Sequence, residues 1–350
     1  MENLHVDKHG GNTGDPKLDQ LVHQLIHDAG QGEQADLVEE MIGTALRIYR
    51  EGLDRGDMKI LNTALKELRL GLRVFEKYRA FRKVALFGSA RTPRSDPNYQ
   101  IAMKFSKEIV RKGWMVITGA ASGIMEAGNV GAGPKNSFGM NIRLPFEQEA
   151  NLVMLKDPKL VTFKYFFTRK LMFLRESHAT VLCPGGFGTH DEGFETLTLV
   201  QTGKTDPRPI VCLDAPGSEY WKHFRIFLKK QLADEHLIHE DDIDFMHFTQ
   251  NVEDAVKYTV DFYKMYHSMR YIRDMLVMRI EKPLSDAQLD YLNQQFKGIV
   301  KKGKIIQSLK PFDEEKNAPY TFHLTRLAFS FKMNCYTQIH RMIHVLNSFA

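Results

Sequence analysis

The residues best suited to chemistry in this chain lie between Ala179 and Glu195, in the run ATVLCPGGFGTHDEGFE. Ala179 to Cys183 is a short apolar run with a β-branched centre, of the length that suits a strand buried on both faces. Pro184 ends it. Gly185, Gly186 and Gly188 are expected to take positive φ and leave no Cβ in the way, so that consecutive N–H groups converge on an anion where a helix begins. Thr189 adds a hydroxyl, and Asp191 and Glu192 are expected to place carboxylates in the first helical turn. Two readings of those acids stand side by side: they complement the helix dipole, or one of them attacks or deprotonates an atom beside a bound phosphate.

The rest of the chain must position this run. Its 350 residues are 43% hydrophobic and 26% charged, with a net charge of +5, the balance of a soluble protein of one large or two modest domains. The charge is not gathered into a long basic run, so a small anionic ligand is expected and nucleic acid is not. No apolar run approaches a membrane span and the N-terminal residues lack a signal-peptide core. A cytoplasmic protein without a membrane partner is therefore expected. Cys183, Cys212 and Cys335 are widely spaced and read as reduced, packed thiols, with no metal site.

Residues 1–16, with His5 and His9, read as a disordered tail, and 17–80 as an extension of two or three amphipathic helices broken near residues 30–32 and Gly56. Over 81–267, apolar strands alternate with helical periodicity: KVALFGSA, WMVITG, SFGMNIRLP, the run above and PIVCLD. Most of them close on glycine or proline. That alternation predicts an α/β fold with a doubly wound, Rossmann-like parallel sheet, whose ligands lie along the carboxyl edge of the strands. Residues 268–350 read as a small α+β segment in the order β-α-β-β-α, with one strand over YIRDMLVMRI and a helix carrying His340 and His344. The two histidines are one turn apart, but no third ligand accompanies them, so a partly exposed helix face is expected.

The commonest phosphate motifs are missing: the first turn, GSAR, lacks the dinucleotide-binding spacing, and there is no P-loop. PGGFGTHDE resembles instead the PGGxGTxxE signature of the LONELY GUY (LOG) family of cytokinin-activating phosphoribohydrolases and their bacterial relatives. Arg169 and Lys170 precede it like the family's RK pair, FGSA and GIMEAGNVGA are similar to its first two strand-end motifs, and GMNIRLPFEQ, YFFTRK and ETLTLVQTGK resemble the long-form branch that includes nucleotide 5′-monophosphate nucleosidases. The likeness covers residues 83–265.

The resemblance implies hydrolysis of the N-glycosidic bond of nucleoside 5′-monophosphates to free base and ribose 5-phosphate, with Glu192 and Arg169 as the catalytic pair. Purine monophosphates, AMP or GMP, come first as substrates and cytokinin ribotides second. Gly185, Gly186, Gly188 and Thr189, following Pro184, would hold the 5′-phosphate, with Gly88, Ser89, Gly119, Ser122 and Gly123 on the same edge. Glu126, Asn141, Lys170 and Glu195 also match family positions, although a cap or core hydrogen bond explains Glu126 or Asn141 as well. No cofactor is implied. The family has carried the label lysine decarboxylase, but no setting for a pyridoxal Schiff base is recognisable.

Two positions depart from the pattern. Gly119, Ala120, Ala121 and Ser122 stand where many relatives have three glycines, and alanine disfavours positive φ. His190 stands at an often apolar position and reads as an exposed loop histidine, with contact to the base as the other reading. The reading from another class is a nucleotide carrier or sensor without turnover. A homodimer or higher homo-oligomer is expected through the apolar stripes of the N-terminal helices, and an effector or assembly role for the C-terminal segment with Lys297, Lys301, Lys302 and Lys304.

Overall fold

In a computed structural model of the protein, residues 12–30, 32–145, 149–333 and 335–350 are described. Most of the tail expected over 1–16, with His5 and His9, lies outside them. Asp15 is not loose chain: its carboxylate accepts from the N–H groups of Lys17 and Leu18 and caps the first helix. The described chain divides into two compact units, one ending at Lys66 and one running from Glu67 to Ala350.

The first unit holds α1 (Pro16–Ala29), α2 (Ala35–Arg50) and the start of α3 (Arg55–Glu76). The second break falls at residues 51–54, and Gly56 sits inside α3. The Asp54 side chain accepts from the N–H groups of Gly56 and Asp57, so a side-chain oxygen, not the glycine, starts the helix. Leu21, Leu25, Leu37, Met41, Leu61 and Leu65 all remain exposed on these helices.

The second unit is built on a seven-stranded parallel sheet. Its elements run β1 (Lys83–Phe87), α4 (Pro97–Arg111), β2 (Met115–Thr118), α5 (Ile124–Ala132), β3 (Ser137–Ile142), β4 (Leu160–Phe163), α6 (Phe166–Glu176), β5 (Ala179–Leu182), α7 (Phe187–Gln201), β6 (Ile210–Leu213), α8 (Tyr220–Phe227), β7 (Met246–Thr249) and α9 (Val252–Asp261). The strand order is β4-β3-β2-β1-β5-β6-β7. Alternate strand residues enter two separate cores: Ala85, Phe87, Ile117 and Leu182 join Phe173 and Val200, while Val84, Leu86, Val116 and Val181 join Phe105 and Ile109. Both faces are therefore covered, as continuous apolar strands require. The order grows one way from β1 and the other way from β5, which makes the carboxyl ends of those two neighbours the topological switch point.

Two strands, β4 and β7, have no counterpart in the sequence reading. They are the four-residue edges of the sheet and half of their residues or more are not fully buried, so neither leaves a continuous apolar run. The helix expected to hold Asp191 and Glu192 in its first turn starts at Phe187.

The chain ends in a four-stranded antiparallel sheet of order β10-β11-β9-β8, formed by β8 (Tyr266–Ile272), β9 (Met275–Ile280), β10 (Ile306–Ser308) and β11 (Thr325–Ser330), with helices α10 (Asp286–Gln295) and α11 (Tyr336–Asn347). The single strand expected over YIRDMLVMRI is interrupted by a hairpin turn: its first two residues end β8 and its last six are β9, and between them Arg273 takes φ 54° and reverses the chain. Ser285 caps α10 in a capping box with Gln288. His340, expected on a partly exposed face, is buried with its ring 5.5 Å from that of Phe245 and 5.4 Å from that of Phe262. Cys183 and Cys212 are free, buried thiols. Among the described residues no helix is long and apolar enough to cross a membrane.

The strained turn generates a prediction. The Arg273 side chain is exposed, and its ion pair with Glu314 is a surface contact of small value. Arg273→Gly should therefore raise stability by about 0.5–1 kcal/mol, by removing the cost of a left-handed residue. Equal or lower midpoints in urea unfolding would count against strain at that residue.

Candidate functional site

A cavity of about 770 Å³ opens at the switch point. One wall is the turn after β1, Gly88 to Arg91. The other is the turn after β5 and the first turns of α7, Gly185 to Glu192. The turns are stitched together: the Ser89 N–H donates to the Pro184 carbonyl at 3.1 Å, and the Ile124 N–H to the Ser89 carbonyl at 3.0 Å. Gly123 needs its glycine, since at φ 67° a Cβ would stand 2.3 Å from the Ser89 oxygen.

Gly185, Gly186 and Gly188 do not take positive φ, contrary to expectation. Their use is steric. A Cβ on Gly185 would lie 2.1 Å from the Thr189 hydroxyl, whereas Gly186 and Gly188 face open space. α7 has no side-chain cap, and among the described residues the N–H groups of Gly186, Phe187 and Gly188 donate to no protein acceptor. Three unsatisfied donors at the positive end of a helix, with Thr189 behind them, are an arrangement suited to an anion. Phe187 projects almost wholly into solvent at the rim, 96% exposed.

Because α7 starts at Phe187, Asp191 and Glu192 lie in its second turn, not its first. Dipole compensation is therefore weak for both, since the effect fades beyond the first turn. Glu192 is buried. Its Oε1 lies 3.6 Å from Arg169 Nη2, beyond hydrogen-bond reach, and has no hydrogen-bond partner, nor has the Nε of Arg169. Burial pushes the Glu192 carboxyl up to about 7, against the opposing pull of Arg169 and Lys170. Arg169 comes from α6, with its guanidinium carbon 5.0 Å from the centre of the Phe166 ring, and burial lowers its pKa.

Nine of the sequence-predicted residues line the cavity: Gly88, Ser89, Gly119, Arg169, Gly185, Gly186, Gly188, Thr189 and Glu192. The others stand behind it. Lys170 Nζ is held by Asp191 at 2.8 Å and by Glu195 at 2.7 Å, an ion triad that ties α6 to α7. Ser122 donates to the Ala90 carbonyl, and Glu126 pairs with Arg94. Asn141 accepts from the neighbouring Ile142 N–H, and Pro184 presents its carbonyl to Ser89.

The departures resolve structurally. Ala120 takes φ 58° in spite of its Cβ. Its N–H donates to Thr118 Oγ1 at 2.9 Å and its carbonyl accepts from the Asn151 N–H at 2.8 Å, while the Asn151 side chain reaches the Ala121 carbonyl and Asn129. A buried network thus holds a conformation that alanine alone disfavours. His190 is not an exposed loop histidine. It sits in α7, half-buried, with its ring 5.0 Å from that of Phe224 and 5.9 Å from that of Tyr220. The Tyr220 hydroxyl gives its one proton to the Gly185 carbonyl, so at 2.7 Å His190 Nε2 must donate to it. This chain buttresses the glycine loop from below. Phe87, Met125 and Phe173 add an apolar wall that sequence reasoning missed, because each reads as ordinary core.

The buried carboxylate makes a prediction about stability. The unfolded chain loses the Glu192 proton near 4.5 and the folded chain holds it to about 7, so wild-type stability falls as pH rises through that window. Glu192→Gln should unfold with a higher midpoint than wild type at pH 8, by roughly 3 kcal/mol, with the gain vanishing near pH 4.5. A difference that does not change with pH would place Glu192 in contact with water.

Residues 115–259 match the family model described as possible lysine decarboxylase. No curated protein matches the chain. Solved structures to which it is similar include a molybdenum cofactor binding protein from the phototrophic bacterium Rippkaea orientalis, with 16% identity over 51% of this chain and 93% of that one and a TM-score of 0.35. Another is the molybdenum cofactor carrier protein of Chlamydomonas reinhardtii, with 20% identity over 50% and 94% and a TM-score of 0.35. A third is DNA processing protein A from Helicobacter pylori, with 14% identity over 51% and 80% and a TM-score of 0.36. The decarboxylase description implies pyridoxal phosphate, and the residues do not fit it: among the described residues no lysine lines the cavity, and Lys170 is held by two carboxylates. With PGGFGTHDE at the end of β5, the RK pair on α6 and a family model matched over residues 115–259, this part of the chain resembles the LONELY GUY (LOG) family.

Proposed function

We propose that the protein hydrolyses the N-glycosidic bond of nucleoside 5′-monophosphates, releasing free base and ribose 5-phosphate. The observation that carries this reading is the buried Glu192 carboxylate, with an unpaired oxygen facing Arg169, beside three undonated N–H groups. The N–H groups suit a 5′-phosphate. Breaking the C1′–N bond leaves its electron pair on the base and positive charge on the ribose, which a carboxylate stabilises. Glu192 then takes a proton from water as the oxygen bonds C1′, and that proton ends on the departing base. A carboxyl that titrates near neutrality is suited to accept and return it. Arg169, with its permanent charge and planar fork, holds the substrate against the acid. AMP or GMP are the first substrates proposed and cytokinin ribotides the second.

Release of free base from AMP, GMP, CMP, UMP and isopentenyl-AMP by the full-length protein tests this directly. Saturable binding of all five without release would favour a carrier. Glu192→Gln should lower kcat on the order of a hundredfold or more while the fold survives. In wild type, kcat/KM should rise with pH through about 7 as Glu192 ionises, a limb absent from the Glu192→Gln variant. Adenosine should be turned over far more slowly than AMP, having no anion for the loop; equal rates would remove the phosphate from the assignment.

We also propose that a second copy of the chain covers the exposed apolar face of the N-terminal helices. Leu37, Met41 and Leu65 line a groove of about 850 Å³ there, and a twofold partner covers such a face with the same residues. Light scattering should show a homodimer or a larger assembly that Leu65→Glu weakens. A wild-type monomer at micromolar concentration would overturn this.

A further inference from the structure

The turn that follows β2, Gly119 to Gly123, meets the cavity beside Glu192 at its first residue. Gly119 lines that cavity, and a Cβ there would stand 2.7 Å from Met125 Sδ and 3.9 Å from Arg169 Nη1. The backbone at Gly119 thus lies against the guanidinium that faces Glu192. Ala120, the next residue, is buried and takes φ 58°, a left-handed conformation in which a Cβ crowds the backbone. Spare room is not what permits it. The Ala120 methyl is enclosed against Gly139 of β3, where a Cβ would lie only 2.8 Å from it.

Hydrogen bonds hold the turn from two sides. On one side Ser122 and Ile124 bond the carbonyls of Ala90 and Ser89, which fixes the end of the turn and leaves Ala120 and Ala121 to other partners. On the other side the Ala120 N–H donates to Thr118 Oγ1, and the Thr118 hydroxyl gives its proton to Asn129 Oδ1 at 2.7 Å. The Asn151 N–H reaches the Ala120 carbonyl, while its Nδ2 donates to the Ala121 carbonyl at 3.1 Å and to Asn129 Oδ1 at 2.9 Å. Asn151 is itself fixed, since its Oδ1 accepts from the Met154 N–H at 3.2 Å and its carbonyl from the N–H groups of Met154 and Leu155. Among the described residues Asn129 Nδ2 has no partner, so this buried network keeps a cost that a fully paired one avoids. A glycine at residue 120 would need none of it.

We propose that Asn151 is a positioning residue for the cavity beside Glu192. Its amide holds Ala120 in the left-handed region, which keeps the Gly119 peptide against Arg169 and keeps Arg169 at 3.6 Å from the acid. Without that amide Ala120 relaxes toward negative φ, the Gly119 peptide turns with it, and the guanidinium loses its support on that side. The kinetic side of this inference rests on the hydrolysis proposed above, in which Arg169 holds the substrate against Glu192. A packing role alone differs in its consequences: it lowers stability and leaves the turnover of the folded protein unchanged.

The test is a double-mutant cycle on the full-length protein, comparing wild type, Asn151→Ala, Ala120→Gly and the two substitutions together. Asn151→Ala should lower kcat on AMP by roughly tenfold or more with KM within about threefold of wild type, because a misplaced group near the reacting atoms costs rate more than binding. Ala120→Gly alone should keep kcat near wild type, and in the double variant it should restore kcat to within about threefold, because glycine takes φ 58° unaided. Thr118→Val replaces Asn151→Ala if circular dichroism shows that variant unfolded, with the same rescue expected. A second readout needs no turnover: the NMR resonance of the Arg169 Nε–H should shift in Asn151→Ala and return in the double variant. Wild-type kcat or an unshifted resonance in folded Asn151→Ala would overturn the inference, as would a double variant no better than Asn151→Ala. If wild type releases no base from any nucleotide, the hydrolytic reading fails and the resonance alone decides the role of Asn151.

Discussion

The constraint on which the structure depends is the parallel pairing of β1 with β5, in the register Val84 to Ala179 through Phe87 to Leu182. These strands are neighbours in space and far apart in sequence, because the chain completes one half of the sheet before it starts the other. Their carboxyl ends therefore stop side by side with no helix crossing above them. The gap is a consequence of winding direction, and any side chain that follows either strand must face it. The short bond from Ser89 to Pro184 then fixes the separation of the two turns, and the small residues keep the space clear.

Within that gap the electrostatics oppose one another by design of position. Glu192 could have been neutralised by a close bond to Arg169, but at 3.6 Å the contact is coulombic only. Lys170, the neighbouring cation, is turned away to Asp191 and Glu195. The carboxylate is thus desolvated without being fully paired, a costly state in which a small change of surroundings moves its proton. The helix N-terminus nearby supplies a positive field to the same space. Two opposite features, free N–H donors and a desolvated carboxyl, thus come from the backbone and a side chain of α7, with the opposing cation supplied by α6.

The sheet was largely legible because its central strands are apolar on both faces and end at glycine or proline; that is how KVALF, MVIT and ATVL announce themselves. The edge strands were not, because an edge needs only one covered side. In the site, the glycines and the acids Asp191 and Glu192 were readable from type and spacing, and Arg169 only from the family resemblance. Their geometry was not: positive φ was expected at Gly185, Gly186 and Gly188 and occurs instead at Ala120 and Gly123. Residue type shows where strain is cheap, whereas hydrogen bonds from elsewhere decide where strain is held. The partners of Ala120, Thr118 and Asn151, stand two residues before it and thirty-one after it, and no local pattern links them.

His190 shows the same limit from the other side. By sequence it is a polar residue after a glycine turn, which argues for solvent. In the fold it is covered by an aromatic cluster whose members, Tyr220, Trp221 and Phe224, come from α8, one strand farther along the sheet. Burial lowers its pKa and keeps the ring neutral, and a neutral ring can hold the single tautomer that donates to Tyr220. Tyr220 in turn holds the Gly185 carbonyl, so the peptide that precedes the free N–H groups is anchored by a side chain thirty-five residues away. The rigidity of the glycine loop is therefore a property of the packing between α7 and α8, and a loop whose own residues impose little order receives its shape from the helices beneath it.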